Sequence, residues 1–258
     1  MRRVLALAVG AAAMLTASTA IAQPACTQLT ITGHPSYPPI GYRDGNQITG
    51  AGATMLAEIG ANLGITIVPL YTGTWEEAQE ATREGTADII FGIYYNDDRA
   101  TYLDYVQPAF TTDPVVVFIR QGEGFTFTGQ DDLVGKRGVT NTGESFGVEL
   151  DAFIAESLDV ERANGVDAAF TELLEGRADY MIFGLYPGEA VITEMGVDDQ
   201  IAVLSPTLLE ADMFVAFSKQ SSCLSQIEAV GAEIETMKAN GRVEELIAIA
   251  NEAWRAAN

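Results

Sequence analysis

Basic side chains are scarce in this sequence, whereas acidic ones are abundant. Of its 258 residues, 14 are Lys or Arg and 36 are Asp or Glu, so the formal net charge is −22. A surface this negative repels polyanions, and we therefore exclude nucleic acid and anionic membranes as partners. The charge favours solubility and does not by itself indicate a function.

Residues that bind metals or act as nucleophiles are equally scarce. The single histidine is His34, and the only cysteines are Cys26 and Cys223. If these cysteines are bonded to each other, a zinc ion would have only His34 and carboxylates as ligands. The sequence has no G-x-S-x-G elbow, no P-loop and no dinucleotide fingerprint, and its acidic residues are scattered. We therefore predict no enzyme activity, no catalytic residue, no metal and no cofactor.

The N-terminus has the three parts of a signal peptide. Arg2 and Arg3 precede an apolar stretch from Val4 to Leu15, and Ala20-Ile21-Ala22 fits the small-x-small rule for cleavage. The apolar stretch is too short to span a bilayer, which needs about 20 residues. We predict that residues 1–22 are removed after Ala22, and that the exported chain does not insert into a membrane.

The two cysteines lie near opposite ends of the exported chain. In an oxidising compartment, a pair of cysteines favours one disulfide. A bond between Cys26 and Cys223 requires both ends of the chain to share one lobe. Two free buried thiols are the alternative.

A short pattern occurs twice, 91 residues apart. Glu84 to Asp88 and Glu175 to Asp179 both read Glu-Gly-x-Ala-Asp, and an apolar run with a terminal tyrosine follows each of them. In each copy a helix ends, a glycine takes the left-handed cap, and a buried strand begins. Continuous apolar strands after helices are typical of parallel sheets covered on both faces. The sequence therefore predicts two similar α/β units.

Strands near Thr112 and Asp212 are the two places where such units can join. A chain that leaves the first unit, forms the second and then returns must cross between the units twice. Two such crossing strands act as a hinge beside a ligand cleft. We predict an α/β fold of two lobes, each a mainly parallel sheet flanked by helices. Lobe one would comprise residues 23–112 and 214–258, and lobe two residues 113–213.

Several motifs, in this order and spacing, resemble one family over nearly all of the exported chain. It is similar to the family-3 extracytoplasmic solute-binding proteins, the amino-acid receptors of ABC importers. The resemblance implies the type II periplasmic binding protein fold, a periplasmic monomer, and a membrane permease as partner. The motifs are Tyr37-Pro38-Pro39-Ile40, Gly85-x-Ala87-Asp88, Asp98-Arg99, Tyr105 to Phe110, Asp132 to Lys136, Gly143-Glu144-Ser145 and a last helix ending near Trp254.

The resemblance also implies a set of ligand-binding residues. Arg99 matches the arginine that clamps the ligand carboxylate, which suits the fork of a guanidinium. Free N–H groups of the loop that opens a lobe-two helix would bind the same carboxylate. Tyr37 matches an aromatic wall of the ligand pocket, and plain core packing is the alternative for it. His34 matches a position that selects the ligand side chain, and a solvated loop histidine is the alternative. The remaining positions are Gly92 and Tyr94 at a strand end, and Thr142, Gly143, Glu144 and Ser145 in the loop, where ordinary helix capping is the alternative.

Two positions depart from the family. In the family an aspartate binds the amino group of an amino acid, and Gly184 stands at that position here. At the position of the family's second aromatic wall, this chain has Ala51. We therefore expect a small carboxylate-bearing ligand, for which an ordinary amino acid is only one option, delivered to an ABC permease. A dehydratase-like enzyme with Glu144 as its acid, and a sensor without transport, are the alternatives.

Overall fold

The computed structural model describes residues 26–257. The predicted signal peptide, residues 1–22 with cleavage after Ala22, lies outside these residues. Within 26–257, no helix combines the length and the apolar character that crossing a bilayer requires.

Helices and short strands alternate along most of the chain. The first part contains β1 (Gln28–Gly33), β2 (Ser36–Tyr37), β3 (Gly41–Asp44), β4 (Gln47–Thr49), α1 (Ala51–Leu63), β5 (Thr66–Pro69), α2 (Trp75–Arg83), β6 (Ile89–Ile93) and β7 (Leu103–Tyr105). The middle contains β8 (Thr111–Arg120), β9 (Arg137–Asn141), α3 (Val148–Ser157), β10 (Asp159–Ala163), α4 (Val166–Leu174), β11 (Tyr180–Gly184), α5 (Leu185–Met195) and β12 (Ile201–Val203). The last part contains β13 (Leu209–Ser218), α6 (Ile227–Ala239) and α7 (Arg242–Ala257).

Most strands join one sheet, in which two halves repeat the same order. Along the sheet the strands run β10-β9-β11-β8-β13-β6-β1-β5, with β12 beside β8 and β7 beside β13. β1 pairs in parallel with β5 and β6, just as β9 pairs in parallel with β10 and β11. We call the half that contains β1, β5 and β6 lobe one, and the half that contains β9, β10 and β11 lobe two. β2, β3 and β4 form a separate small sheet.

The repeated Glu-Gly-x-Ala-Asp pattern has the same role in both halves. Gly85 and Gly176 take φ values of 79° and 73°, where glycine carries no steric penalty. Asp88 then bonds Thr30 of β1 twice: its carboxylate accepts from the backbone N–H, and its own N–H donates to the carbonyl oxygen. Asp179 makes the same two bonds to Arg137 of β9. Each aspartate therefore fixes how the buried strand that follows it, β6 or β11, is aligned with the first strand of its lobe, β1 or β9.

The two strands β8 and β13 connect the halves. Their antiparallel register places Thr112 opposite Asp212, the two positions at which the sequence predicts the crossings. Beyond Phe214, β13 changes register and continues along β6 of lobe one. One strand thus serves both halves, and the chain passes between them at two neighbouring strands that form the hinge.

Helix α3 begins at Val148, after Gly147, whose φ of 95° is outside the helical range. The carboxylate of Asp151 accepts a hydrogen bond from the Phe146 N–H at 2.7 Å and another from the Ser145 hydroxyl. These bonds hold residues 142–147 as a turn that precedes the helix.

Helix α5 is not predicted from the sequence. Pro187 and Gly188 near its start weaken the helical pattern of this segment. Pro187 is nevertheless tolerated, because it stands in the first turn, where backbone N–H groups have no partner within the helix.

The cysteines meet within lobe one. The Cα atoms of Cys26 and Cys223 lie 5.3 Å apart, which is compatible with the expected disulfide. The bond would tie the start of β1 to the segment between β13 and α6, 197 residues away.

We predict that the exported protein contains this disulfide. Its intact mass should be about 2 Da below that of the reduced protein, and reduction should lower the free energy of unfolding by about 2–4 kcal/mol. The Cys26→Ala/Cys223→Ala double variant is the control, since a reductant should not change its denaturation curve. Two titratable thiols in the unreduced, denatured protein would contradict the pairing.

Candidate functional site

The loops at the carboxyl ends of the parallel strands meet between the lobes. His34 follows β1, Tyr94 follows β6, Thr142 follows β9, and Gly184 ends β11. In α/β sheets this edge is where ligands bind, because loops that follow parallel strands lie together there. Hydrogen bonds already join the loops across the cleft: Asn96 Nδ2 donates to Ser145 Oγ at 2.7 Å, and Gln79 Nε2 donates to the Gly143 carbonyl oxygen at 3.1 Å.

His34 and Glu144 form a buried pair across the cleft. The Ser36 N–H donates to His34 Nδ1 at 2.9 Å, so the neutral ring carries its proton on Nε2. Nε2 then donates to Glu144 Oε1 at 3.0 Å, and the Asn141 amide donates to the same oxygen at 3.0 Å. His34 is only 3 % exposed, so the alternative of a solvated loop histidine is wrong.

Arg99 is a buried cation that bonds only neutral oxygens within the described residues. The residue begins a short 3-10 turn and is held there by a hydrogen bond from its backbone N–H to Asn96 Oδ1 at 2.7 Å. The guanidinium donates three bonds of 3.0 Å, from Nε to Gln79 Oε1, from Nη1 to the Tyr94 carbonyl oxygen, and from Nη2 to the Gly143 carbonyl oxygen. The residue is 2 % exposed, so Arg99 is not a surface arginine.

The opposite charge lies at the hinge, on Asp113. Tyr37 and Tyr94 both donate their hydroxyl protons to Asp113 Oδ2, at 2.6 and 3.1 Å, and the two hydroxyl oxygens touch each other. Asp113 Oδ1 is buried and no described donor meets ordinary hydrogen-bond geometry with it, although the backbone N–H of Tyr186 lies near enough to lower the pKa of the carboxyl. The ring of Tyr37 also packs edge-on against Phe183, with centroids 5.4 Å apart.

Burial perturbs the acidity of this cluster. It raises the pKa of Asp113 from 3.8 to about 6, although the hydrogen bonds from Tyr37 and Tyr94 act in the opposite direction. Burial, together with the nearby Asp113 charge, also raises the pKa of both tyrosines well above 10. Both phenols therefore stay neutral and donate to the carboxylate at every physiological pH.

Gly184 explains why this carboxylate fits. A Cβ atom on Gly184 would lie 2.1 Å from Asp113 Oδ2 and 2.2 Å from the Tyr37 hydroxyl oxygen. The space next to the end of β11 is therefore occupied by a carboxylate from β8. Gly92, another glycine of the predicted site, is buried in β6 with φ 71°, a conformation that favours glycine.

The predicted loop of residues 142–145 is only partly aimed at the cleft. Gly143 and Glu144 contact lobe one, as described above. Thr142 instead bonds the Ala163 carbonyl oxygen through both its N–H and its hydroxyl, at 2.8 and 3.0 Å. The loop precedes α3, but the helix begins only at Val148, three residues after Ser145.

Two cavities flank the buried contacts. The hinge groove, of about 810 Å³, lies between α5 and α7 and reaches Tyr37 and Asp113 at the hinge. The mouth pocket, of about 380 Å³, borders His34, Trp75 and Asn141. Arg99, Tyr94 and residues 142–145 line neither cavity.

Sequence reasoning missed four polar residues of this site. Gln79 and Asn96 contact Arg99, and Asn141 contacts Glu144, but no local pattern distinguishes these three from other polar residues. Asp113 did leave a signal, because it is the only acidic residue of the apolar strand β8. An ionisable group in a strand buried on both faces costs free energy, which identifies it as a candidate site residue. Within 26–257 no group of three potential metal ligands forms.

The family described as bacterial extracellular solute-binding proteins, family 3, matches residues 29–249. The chain belongs to this family. Binding of a small solute outside the cytoplasm is therefore its general function, and the resemblance seen in the sequence is confirmed. A comparison with curated protein sequences found no match.

Solved structures share the fold of this family-3 chain. A histidine kinase sensor domain similar to periplasmic binding proteins is 20 % identical, with a TM-score of 0.73 and coverage of 86 % of this chain and 95 % of that one. The amino acid ABC transporter substrate-binding protein AbpA from Streptococcus pneumoniae, bound to L-arginine, is 21 % identical, with a TM-score of 0.72 and coverage of 88 % and 95 %. A mutant of ArgBP from T. maritima is 21 % identical, with a TM-score of 0.70 and coverage of 89 % and 95 %. The predicted fold class is thus confirmed.

The space around Gly184 predicts the effect of a single methyl group. Gly184→Ala should displace Tyr37 or Asp113 and lower the free energy of unfolding by about 1–3 kcal/mol, as overpacking does elsewhere. Gly124→Ala is the matched control, because its Cβ would meet only Ile119, at an ordinary 3.6 Å. Equal denaturant midpoints for the two variants would contradict the crowding.

The raised pKa of Asp113 predicts how stability depends on pH. The folded chain holds this proton more tightly than the unfolded chain, so the stabilisation is complete below about pH 4 and is lost as the pH rises through about 6. The ligand-free Asp113→Asn variant should therefore gain about 2 kcal/mol relative to the parent between pH 4 and 7.5. Urea denaturation across this range measures the difference, with the exposed Asp212→Asn as control. Parallel stability curves for parent and Asp113→Asn would refute the shift.

Proposed function

We propose that this family-3 protein captures a small carboxylate-bearing solute, an amino acid or a related compound, in the cleft between its lobes. It would release the solute unchanged to the permease of an ABC importer. In this proposal a signal peptide ending at Ala22 directs a monomer to the periplasm. Lobe one comprises residues 23–112 and 214–258, and lobe two residues 113–213.

Arg99 is the observation that carries this proposal. A guanidinium that is removed from water loses its hydration, and neutral oxygens replace that hydration only in part. A carboxylate offers the planar, charged acceptor that fits its fork. Arg99 belongs to lobe one, and its Nη2 donates to the Gly143 carbonyl oxygen of lobe two. A carboxylate bound to this guanidinium would therefore lie where the two lobes meet and would contact both.

The contacts across the cleft support a receptor that closes. His34–Glu144 and Asn96–Ser145 join loops of opposite lobes, and only the strands β8 and β13 connect those lobes covalently. A solute that touches both lobes shifts the population toward the closed form, because its contacts are complete only there. The S. pneumoniae relative, an amino acid ABC transporter substrate-binding protein bound to L-arginine, agrees with this class of ligand.

The proposal is tested by a binding screen on ligand-free protein, prepared by denaturation and refolding. Thermal-shift measurements with free amino acids, their keto acids and other small carboxylates should identify stabilising compounds, and calorimetry should give their affinities. Arg99→Lys keeps the charge but loses the fork, so we expect affinity to fall about 10- to 100-fold.

Arg177→Lys is the control for that substitution, because Arg177 lies on the surface in contact with Glu172 and Glu175. Unchanged affinity in Arg99→Lys would remove Arg99 from the site. Binding only of compounds without a carboxylate would refute the proposed ligand class.

Sensing without transport is the second candidate function, and the histidine kinase sensor domain with the same fold favours it. Deletion of the gene separates the two: a transport receptor is required for uptake of its solute, whereas a sensor is required only for the response. Incubation of the solute with the protein also tests the enzyme alternative. Conversion that is lost in Glu144→Gln would assign a catalytic role to the buried Glu144.

A further inference from the structure

The side chain of Gln79 contacts three different parts of the protein. It lies on α2 and is half-buried. Its Oε1 accepts from Arg99 Nε at 3.0 Å, and its Nε2 donates to the Gly143 carbonyl oxygen at 3.1 Å. The same nitrogen donates to the carbonyl oxygen of Trp75, one turn earlier in α2, at 3.3 Å. Gln79 therefore bonds its own helix, the buried cation and the opposite lobe.

Two oxygen atoms of the protein occupy one edge of the Arg99 guanidinium. Nε donates to Gln79 Oε1, and Nη2, the terminal nitrogen on the same edge, donates to the Gly143 carbonyl oxygen, both at 3.0 Å. This edge is the fork that binds the two oxygens of a carboxylate. The amide oxygen of Gln79 and the carbonyl oxygen of Gly143 thus take the positions that the two oxygens of a carboxylate would take.

These contacts close the fork to solvent. Arg99 is 2 % exposed and lines neither the hinge groove nor the mouth pocket. A solute carboxylate can therefore reach the fork only when Gln79 or Gly143 moves away from it. The cation itself can stay in place, because Nη1 donates to the Tyr94 carbonyl oxygen of its own lobe and the ring of Trp75 lies 5.5 Å from Cζ.

A glycine at position 143 permits this close approach of the lobes. Gly143 has a φ of 82°, and a Cβ atom built on it would lie 3.0 Å from Gln79 Nε2 and 3.4 Å from Trp75 Cδ1. A side chain at this position would press on Gln79. Lobe two therefore meets α2 with a backbone carbonyl oxygen, which is the group that Arg99 and Gln79 both bond.

We propose that Gln79 and Gly143 form an internal substitute for the solute carboxylate, which the solute has to displace from Arg99. This inference rests on the proposed function and adds to it a competitor within the chain. A charged acceptor bonds a guanidinium about twice as strongly as a neutral one, so the exchange favours the solute. The competitor nevertheless lowers the affinity, because only molecules whose fork has opened can bind.

A positioning role for Gln79 is the competing explanation. Its bond from Arg99 Nε would then serve only to orient the guanidinium, and loss of the amide would weaken solute binding. If Gln79 competes with the solute, loss of the amide strengthens binding instead. The sign of the change in affinity separates the two roles, and partial unfolding of a variant does not produce tighter binding.

The experiment measures affinities by calorimetry on ligand-free protein, with the twenty common amino acids and their 2-keto acids as probes. Methionine has the length of glutamine without its polar atoms, so Gln79→Met should bind carboxylate probes about 3- to 10-fold more tightly than the parent. Gln79→Glu should bind them at least about 10-fold more weakly, because a fixed carboxylate would then occupy the fork. The control is Gln130→Met, at an exposed glutamine in the 3-10 turn before β9, and it should bind like the parent.

The side-chain amide signal of Gln79 is the readout that an orienting role would not change. In the parent its Nε2 protons bond Gly143 and Trp75, so displacement by a probe should shift this signal in a proton–nitrogen correlation spectrum. Its disappearance in Gln79→Met assigns the signal. A residue that only orients Arg99 keeps these bonds when the probe binds, and its signal stays in place.

The outcomes separate this inference from the proposed function. Equal or weaker binding of carboxylate probes by Gln79→Met, with an unshifted amide signal in the parent, would overturn the inference and leave the carboxylate receptor standing. Binding of a carboxylate probe by Gln79→Met but not by the parent would support both. Absence of binding of every carboxylate probe to both proteins would refute the proposed function and overturn the inference with it.

Discussion

The pairing of β8 with β13 is the constraint on which the rest of this structure depends. The two paired strands carry the chain between two halves that otherwise repeat the same strand order. It places Thr112 opposite Asp212, and from there each strand runs into the core of a lobe. The cleft exists because the two halves are joined at one edge and face each other across loops. The change of register at Phe214 lets β13 serve both lobes without interrupting the sheet.

Two buried charges of opposite sign follow from this arrangement. Arg99 reaches the cleft from the loop after β6, and Asp113 reaches it from the hinge strand, so neither is placed by the other. Each bonds neutral protein partners rather than an ion within residues 26–257. Direct contact between them would neutralise both charges and leave little for a solute. The intervening Tyr94 bonds both, which keeps the charges apart and fixes their positions.

Much of the fold could be predicted from the sequence because its signals are local. The glycines Gly85 and Gly176 end helices, and the aspartates after them start buried strands, so both α/β units were visible in a few residues each. The crossing strands also carry their own apolar pattern. The start of α3 was not predictable in this way, since it depends on the φ of Gly147 and on a side-chain bond from Asp151.

The site was harder to predict, because it depends on contacts between distant residues. From the sequence, Gly184 indicates only that the family's carboxylate is missing at the end of β11. Folding is needed to bring Asp113, which lies 71 residues earlier, next to Gly184. His34 and Glu144 are likewise separated by 110 residues, and neither neighbourhood indicates the other. Residue types at such positions identify candidates, but their partners are decided by the packing of the lobes.

The chain's two tryptophans both lie at the cleft and both belong to lobe one. Trp75 packs on His34, with ring centroids 5.0 Å apart, and borders the mouth pocket. Trp254 packs edge-on against Tyr42 and borders both cavities. The indole fluorescence of this protein therefore arises only beside the two openings of the cleft. Both emitters are carried by one lobe, so the approach of the other lobe changes their surroundings and becomes visible in the emission spectrum without an added label.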